Sequence, residues 1–434
     1  MTVAERHEPF VAAYEQLRTS HSAAPVWLRD IRAAAMREFM EHGFPTTRQE
    51  DWRFTNISPI VETTFATSGP APSAAQIASH LFPEANAHLA VMASGRFSHE
   101  LSSLAELPAT VFVGSLAQAL VTHGDNLQPA LARIATGDHP FVRLNTALFE
   151  DGVLIRVPAN TILDRPIHVH VASDAGTVPT VSHPRVLISA GENSQFTVIE
   201  SYGGPEGQRY FTNAVTEALV APGAIVHHVK VQRESKKAFH VAGTFARLGR
   251  GSVFSSHSIS FGGCIVRNDI SAVLDGEGGE ATLNGLYIAD GDRLVDNHTV
   301  IDHAQAHCPS HEIYKGVLGG KARAVFNGKI FVRQDAQKTN AKQTNKALLL
   351  SDDAQINTKP QLEIFADDVK CTHGAAIGQL DDDALFYLRA RGIGRLDAQH
   401  LLIRAFAGEV LQGVQPESIR ERLETLMLDA LPRT

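Results

Sequence analysis

Cysteine is scarce. Three residues in 434, Cys264, Cys308 and Cys371, are too few and too scattered for a disulfide framework, and no CxxC pair offers a zinc or redox motif. No apolar run approaches the ~18 residues that a membrane-spanning helix needs. A basic excess is also missing: the formal net charge is −8 and the pI is near 6.2, which argues against a general nucleic-acid binder. The opening MTVAERHEPF carries acidic residues where a secretory leader would be basic and then apolar. A cytoplasmic location is therefore the expectation.

Nucleotide-binding loops are lacking as well. VLGGKA contains Gly320-Lys321, but the leading glycine stands at 316 rather than 315, and Ala322 replaces the hydroxyl that would meet magnesium. GIGRLD lacks the third glycine of a dinucleotide fingerprint and follows a helix. If ATP is used, another chain hydrolyses it.

What the chain does contain is ordinary globular composition, 44% hydrophobic and 20% charged. Residues 1–145 read as a mostly helical N-terminal region. Trp27, Ile31, Ala34, Ala35 and Phe39 recur at helical spacing, and Gly43 with Pro45 stops that helix. PTTRQEDWRFTNIS reads as an ordered loop. AAQIASHLF and SLAQALVTHG then read as helices, AVMAS and TVFVG as strands. From 146 to 378 short β-branched runs dominate: VLIRVP, IHVHVA, RVLISA, FTVIESY, IVHHVKV, KIFVR. Small-residue turns precede alternating strands at Gly191, Gly223, Gly251, Gly279, Gly320 and Asp353, with gaps of 32, 28, 28, 41 and 33 residues. That loose period, without helices, predicts a parallel β-solenoid; a β-sandwich would place turn signals every 8–12 residues.

Residues 379–434 turn helical. Asp381 to Asp383 cap ALFYLRARG, which Gly392 ends; Asp397 opens a segment with an apolar stripe of Leu401, Leu402, Ala405, Phe406 and Val410. Ile419, Leu423, Leu426 and Met427 form another. Such a small domain does not bury these stripes unaided. It caps the solenoid or docks a partner.

Two sets of candidate ligands stand out. HAQAHCPSH places His303, His307, Cys308 and His311 together, but the three histidines share a face only on a helix, which Pro309 and the β context disfavour. Cys371-Thr-His373 is the other: on a strand, residues two apart leave the same face. A thiol and an imidazole there either line a core or edge face or ligate iron or sulfur. Two donors fall short of a cluster's usual four, so such a site would be shared with a second protein. Cys264 reads as a small buried hydrophobe.

Several segments resemble the SufB/SufD family: PTTRQEDWRFTNI, FVRLNTALFEDGVLIRVP (141–158), DNHTVIDHAQAHCPSHEIYKGVLGGKARAVFNGKIFV (296–332) and the whole of 341–394. The resemblance implies a mainly β protein, a right-handed parallel β-helix flanked by N-terminal α/β and C-terminal helical regions. It implies a non-catalytic scaffold in iron–sulfur cluster assembly, pairing with a SufB-like subunit through the β-helix ends and receiving a SufC-type ABC ATPase on the C-terminal helices. Phe386, Tyr387, Arg389, Arg391, Gly392, Leu401, Leu402 and Phe406 are the expected ATPase-docking residues. His373, and with it Cys371, would contribute to the nascent-cluster site, the only cofactor being a transient cluster or iron shared with that partner. Ala354 stands where B-type chains carry an essential cysteine, and CTHGA replaces a VEHEA-like motif, so the resemblance is to the D type. Pairing of the isolated chain with itself stays open. A polysaccharide-active β-helix enzyme is the alternative; it would need calcium-type acidic sites and secretion.

Overall fold

Each strand of residues 152–378 is too short to bury its own apolar face, so the chain coils and lets successive strands cover one another. The computed structural model describes residues 3–21, 24–67, 69–135 and 139–432, and within them the β-solenoid makes about eight turns. One sheet stacks, in parallel, strands Ile167–Ala172, Gln195–Gly203, Ile225–Arg233, Val253–Ser260, Glu280–Ala289, Pro309–Leu318, Asn340–Leu349 and Lys370–Gly378. The second stacks Gly152–Val157, Arg185–Ala190, Tyr210–Val220, Phe239–Leu248, Ile265–Leu274, Leu294–His303, Arg323–Val332 and Gln355–Ile364. The expected mainly β solenoid with helices at both ends is the fold observed.

A left-handed backbone residue stands two positions before six consecutive strands of the first sheet: Asn193, Gly223, Gly251, Gly278, His307 and Lys338, with φ between +55° and +71°. Their spacing of 27 to 31 residues is the coil length. The 41-residue gap in the sequence markers is now explained. His307 occupies the corner where glycine stands in other coils, and Gly320 belongs to the corner before the second sheet.

The N-terminal segment adds to the same sheets. Strand His88–Ala93 pairs in parallel with Ile167–Ala172 and antiparallel with Arg96–Ser103. Strand Phe112–Ser115 pairs antiparallel with Gly152–Val157. Helix Val26–His42 buries Leu28, Arg32, Ala35, Met36 and Phe39 and ends at Gly43. The loop after it locks onto the second sheet. Trp52 stacks on the Arg267 guanidinium at 3.8 Å, and Thr55 donates to Asp296 at 2.6 Å. Arg267 bridges Asp269 and Asp296 at 2.8 and 2.7 Å, largely buried. Removing one partner from such a buried set costs roughly 3–5 kcal/mol.

The C-terminal helices Arg395–Leu411 and Glu417–Ala430 lie along the side of the solenoid, not over its end. Ile403, Ala407, Leu411, Ile419, Leu423 and Met427 share a cluster with Val229, Val231, Ile259 and Leu286 on the outer face of the first sheet. Lys315 pins the first helix: its Nζ donates to the Phe406 carbonyl at 2.5 Å and to Glu409 at 2.6 Å.

Candidate functional site

The last coil is uncovered. Strands Gln355–Ile364 and Lys370–Gly378 each have a neighbour on one side only. Register fixes which side chains face the interior. Ala341 pairs with Cys371 and Gln343 with His373, and Ala341 and Gln343 are both buried. Cys371 and His373 therefore both point into the open mouth, Cα atoms about 7 Å apart.

Their environments differ. Cys371 is half-buried against Ile330, Val332, Ala341 and Leu362. That burial pushes its thiol up, only partly offset by a backbone hydrogen bond at Ala341, so ligation would have to displace a bound proton. His373 is exposed, so its ring nitrogens are open to an incoming metal. Among the described residues no group of three or more His, Cys, Asp or Glu is placed to hold a metal. The pair can supply two donors and no more.

The remaining candidates disperse. His303 is buried inside the solenoid against the Ser310 hydroxyl at 3.0 Å. His307 is the left-handed corner residue, Cys308 is buried with its sulfur on backbone carbonyls of Gly276 and Ala306, and His311 lies exposed on the outer face. HAQAHCPSH is a coil corner, and its side chains diverge because the strand sends alternate residues to opposite faces. Cys264 is half-buried beside the aromatic cluster of Phe39, Trp52 and Phe211.

The docking candidates sit on the outer helices. Helix Asp382–Ala390 buries nothing; Phe386 is 74% and Tyr387 57% exposed. Arg389 is exposed; Arg391 donates to Tyr387 Oη at 2.8 Å and lies over its ring; Gly392 (φ +85°) turns the chain. Leu401 is exposed and Leu402 half-exposed, whereas Phe406 is already half-covered by Lys315. The face turned to the solenoid is Ile403, Ala407, Val410 and Leu411, so Leu401 and Ala405 of the apolar stripe face solvent.

Sequence reasoning missed a file of polar groups inside the solenoid. Glu200 bonds Tyr202 and accepts from Thr216 at 2.7 Å, with His228 3.4 Å away. Lys230 donates to Asn268 at 2.7 Å, and Glu234 contacts His240 at 2.7 Å. Burial pushes Lys230 down to about 8. Further along, Glu312 accepts from Gln343 at 2.7 Å and is pushed up to about 7 by burial, with the Thr299 hydroxyl and Gln343 amide pulling the other way. The signal was present as alternation: in HHVKVQRE, His228, Lys230, Gln232 and Glu234 alternate with Val229 and Val231. Such a pattern normally puts the polar set in water. Here the C-terminal helices cover the valines and the polar set turns inward.

The fold is a helix-flanked parallel β-solenoid with an apolar interior threaded by a file of polar groups and with an uncapped last coil. Residues 170–406 match the SufBD core domain of SUF system FeS cluster assembly, and residues 4–169 match the SufBD protein N-terminal region. The chain belongs to the SufBD family of iron–sulfur cluster assembly proteins. It is 36% identical to a SufBD family protein of Synechocystis over 87% of this chain and 86% of that one. It is 30% identical to the iron–sulfur cluster assembly protein SufD of Escherichia coli over 92% of each. The SufD of Bacillus subtilis is 24% identical over 93% of this chain and 94% of its own length. Family membership implies a part in an iron–sulfur cluster assembly complex.

Proposed function

We propose that this chain is a non-catalytic D-type scaffold subunit that pairs with a SufB-like subunit through the open last coil. The single observation carrying this is the asymmetry of the solenoid ends. Both ends have edge strands, but Phe97, Leu104 and Leu107 pack on the interior at the N-terminal end, while the other end leaves its mouth open with the Cys371–His373 pair in it. An exposed parallel edge is a ready template for another chain's strand. A partner docked there would bring the missing donors to His373 and Cys371, and the transient cluster is cargo held between the two chains. Ala354, buried at the corner before the last coil, offers no thiol of its own. The exposed Phe386, Tyr387, Arg389 and Leu401 would receive a SufC-type ATPase, whose closure could move the helices that Lys315 ties to the solenoid.

Anaerobic co-purification with a SufB-like and a SufC-type protein tests this reading. Point variants are needed, because deleting the helices would strip the cover from Val229, Val231 and Leu286. The expected result is a complex in which Phe386→Ser with Leu401→Ser loses the ATPase and keeps the SufB-like subunit. His373→Ala keeps both partners but retains less iron. A full-length chain that ignores both partners overturns the assignment. Unchanged iron retention in the Cys371→Ala/His373→Ala double variant leaves a purely structural partner.

A further inference from the structure

The inward ladder that ends at His373 runs back one strand to Gln343 and another to Glu312; the three are register partners on adjacent strands. At a strand spacing of about 4.8 Å, each side chain lies against the next. Gln343 Nε2 donates to Glu312 Oε2 at 2.7 Å. That bond fixes the amide: nitrogen toward the carboxyl group, carbonyl away from it. Gln343 Oε1 is buried and has no hydrogen-bond partner. A second feature holds the amide in place. A Cβ on Gly328, across the interior, would come within 2.3 Å of Gln343 Nε2 and 2.8 Å of its Cδ. The amide occupies the space that a side chain at position 328 would take. A buried carbonyl oxygen without a donor is costly, and the ladder position that follows it belongs to an imidazole.

We infer that Gln343 is the positioning residue for His373, its unpaired carbonyl accepting a ring N–H of His373 so that the opposite ring nitrogen keeps its lone pair for iron. An imidazole that ligates a metal is ordinarily fixed in one tautomer by such an acceptor. Here the acceptor is oriented in turn by Glu312 and by the bare surface of Gly328. The two residues are register partners on adjacent strands and share a face, so the contact needs only the rotamer of the exposed His373 side chain. The inference rests on the proposed role of His373 as a cargo ligand.

The test uses two readouts. In the full-length chain labelled with 15N at the histidine rings, the His373 signals are identified by their loss in His373→Ala, and their shifts at pH 8 give the tautomer ratio. In the complex with a SufB-like subunit and the ATPase, iron retained after anaerobic reconstitution is measured. Gln343→Leu removes the carbonyl; Gly328→Ala displaces the amide and also presses on the Phe326 ring, while the three ladder residues themselves are unchanged. Both should move His373 from one dominant tautomer to a mixture and lower iron retention about tenfold. Exchanging the pair, Glu312→Gln with Gln343→Glu, keeps a donor and a free acceptor oxygen in place and should restore the single tautomer. Wild-type tautomer shifts in both Gln343→Leu and Gly328→Ala overturn the inference, even if His373→Ala lowers iron retention. If His373→Ala leaves iron unchanged, the ligand role fails; a tautomer shift in the Gln343 and Gly328 variants would still support the positioning contact.

Discussion

Glu312 is a carboxyl group enclosed in a β-solenoid, with one oxygen bonded to Gln343 and the Thr299 hydroxyl beside it. Burial raises its proton affinity to about 7, well above the ordinary glutamate value of about 4.5. The folded state then binds this proton more tightly than the unfolded chain does. Glu312 imposes no penalty below pH ~4.5, a growing one as pH climbs toward 7, and a constant one above. A shift of this size is worth up to about 3 kcal/mol. Glu312→Gln keeps an acceptor for Gln343 and removes the ionisation, so its stability advantage over wild type should be small at pH 5 and about 1–3 kcal/mol at pH 8. Urea unfolding at the two pH values reads this directly. Equal differences would mean that Glu312 ionises normally. None of this was legible in the sequence, because Glu312 lies in PSHEIYKG, whose alternation says which residues share a face but not which face is inside. Cys371 and His373 were legible: their two-residue spacing on a terminal strand fixed their common direction.

The coil corner is the element that repeats. Gly251 has φ +59° and nothing within 4 Å of where a Cβ would stand, whereas His307 holds φ +61° at the equivalent place with a Cβ. An L-residue in that conformation costs roughly 1–2 kcal/mol. Gly251→Ala should lower stability by about 1 kcal/mol through backbone strain alone, and His307→Gly should raise it by up to about 1 kcal/mol. Thermal or denaturant unfolding of the two variants decides the matter. A loss of stability in His307→Gly would show that its imidazole contributes contacts beyond the corner. This ladder explains why the solenoid could be read from glycine spacing and why one interval looked wrong. The corner geometry is required in each coil, but glycine is only its most frequent solution, and Asn193, His307 and Lys338 carry no signal at the level of composition. The C-terminal helices were legible as helices for the same local reasons, Asp381 accepting from the Asp383 and Ala384 amides at their start. Which stripe faces the solenoid depended on a surface far away in sequence, built by residues from Val229 to Val317.

At the scale of the whole molecule the two ends of the solenoid differ in what covers the interior: Phe97, Leu104 and Leu107 pack on it at one end, and the last coil is open at the other. The last strands, Gln355–Ile364 and Lys370–Gly378, bond to one neighbour each. Alternate backbone amides along them therefore point away from the sheet, where water is their only partner. Strands between 253 and 332 are bonded on both sides. Hydrogen exchange in the isolated chain should be fast over 355–378 and slow over 253–332, because opening the end disturbs one coil while opening the middle breaks the stack. If a SufB-like subunit adds strands to these edges, its binding should slow exchange over 355–378 and leave 185–248 unchanged. Adding only the ATPase should instead protect 382–402. Protection that rises on the helices alone with the SufB-like subunit would remove that subunit from the mouth and with it the shared site. Protection of 355–378 that grows with the concentration of this chain alone would mean that a second copy occupies the end. In that case Cys371 and His373 of two copies would face each other, four donors in a closed interface, and assembly with the SufB-like subunit would have to break that pairing first.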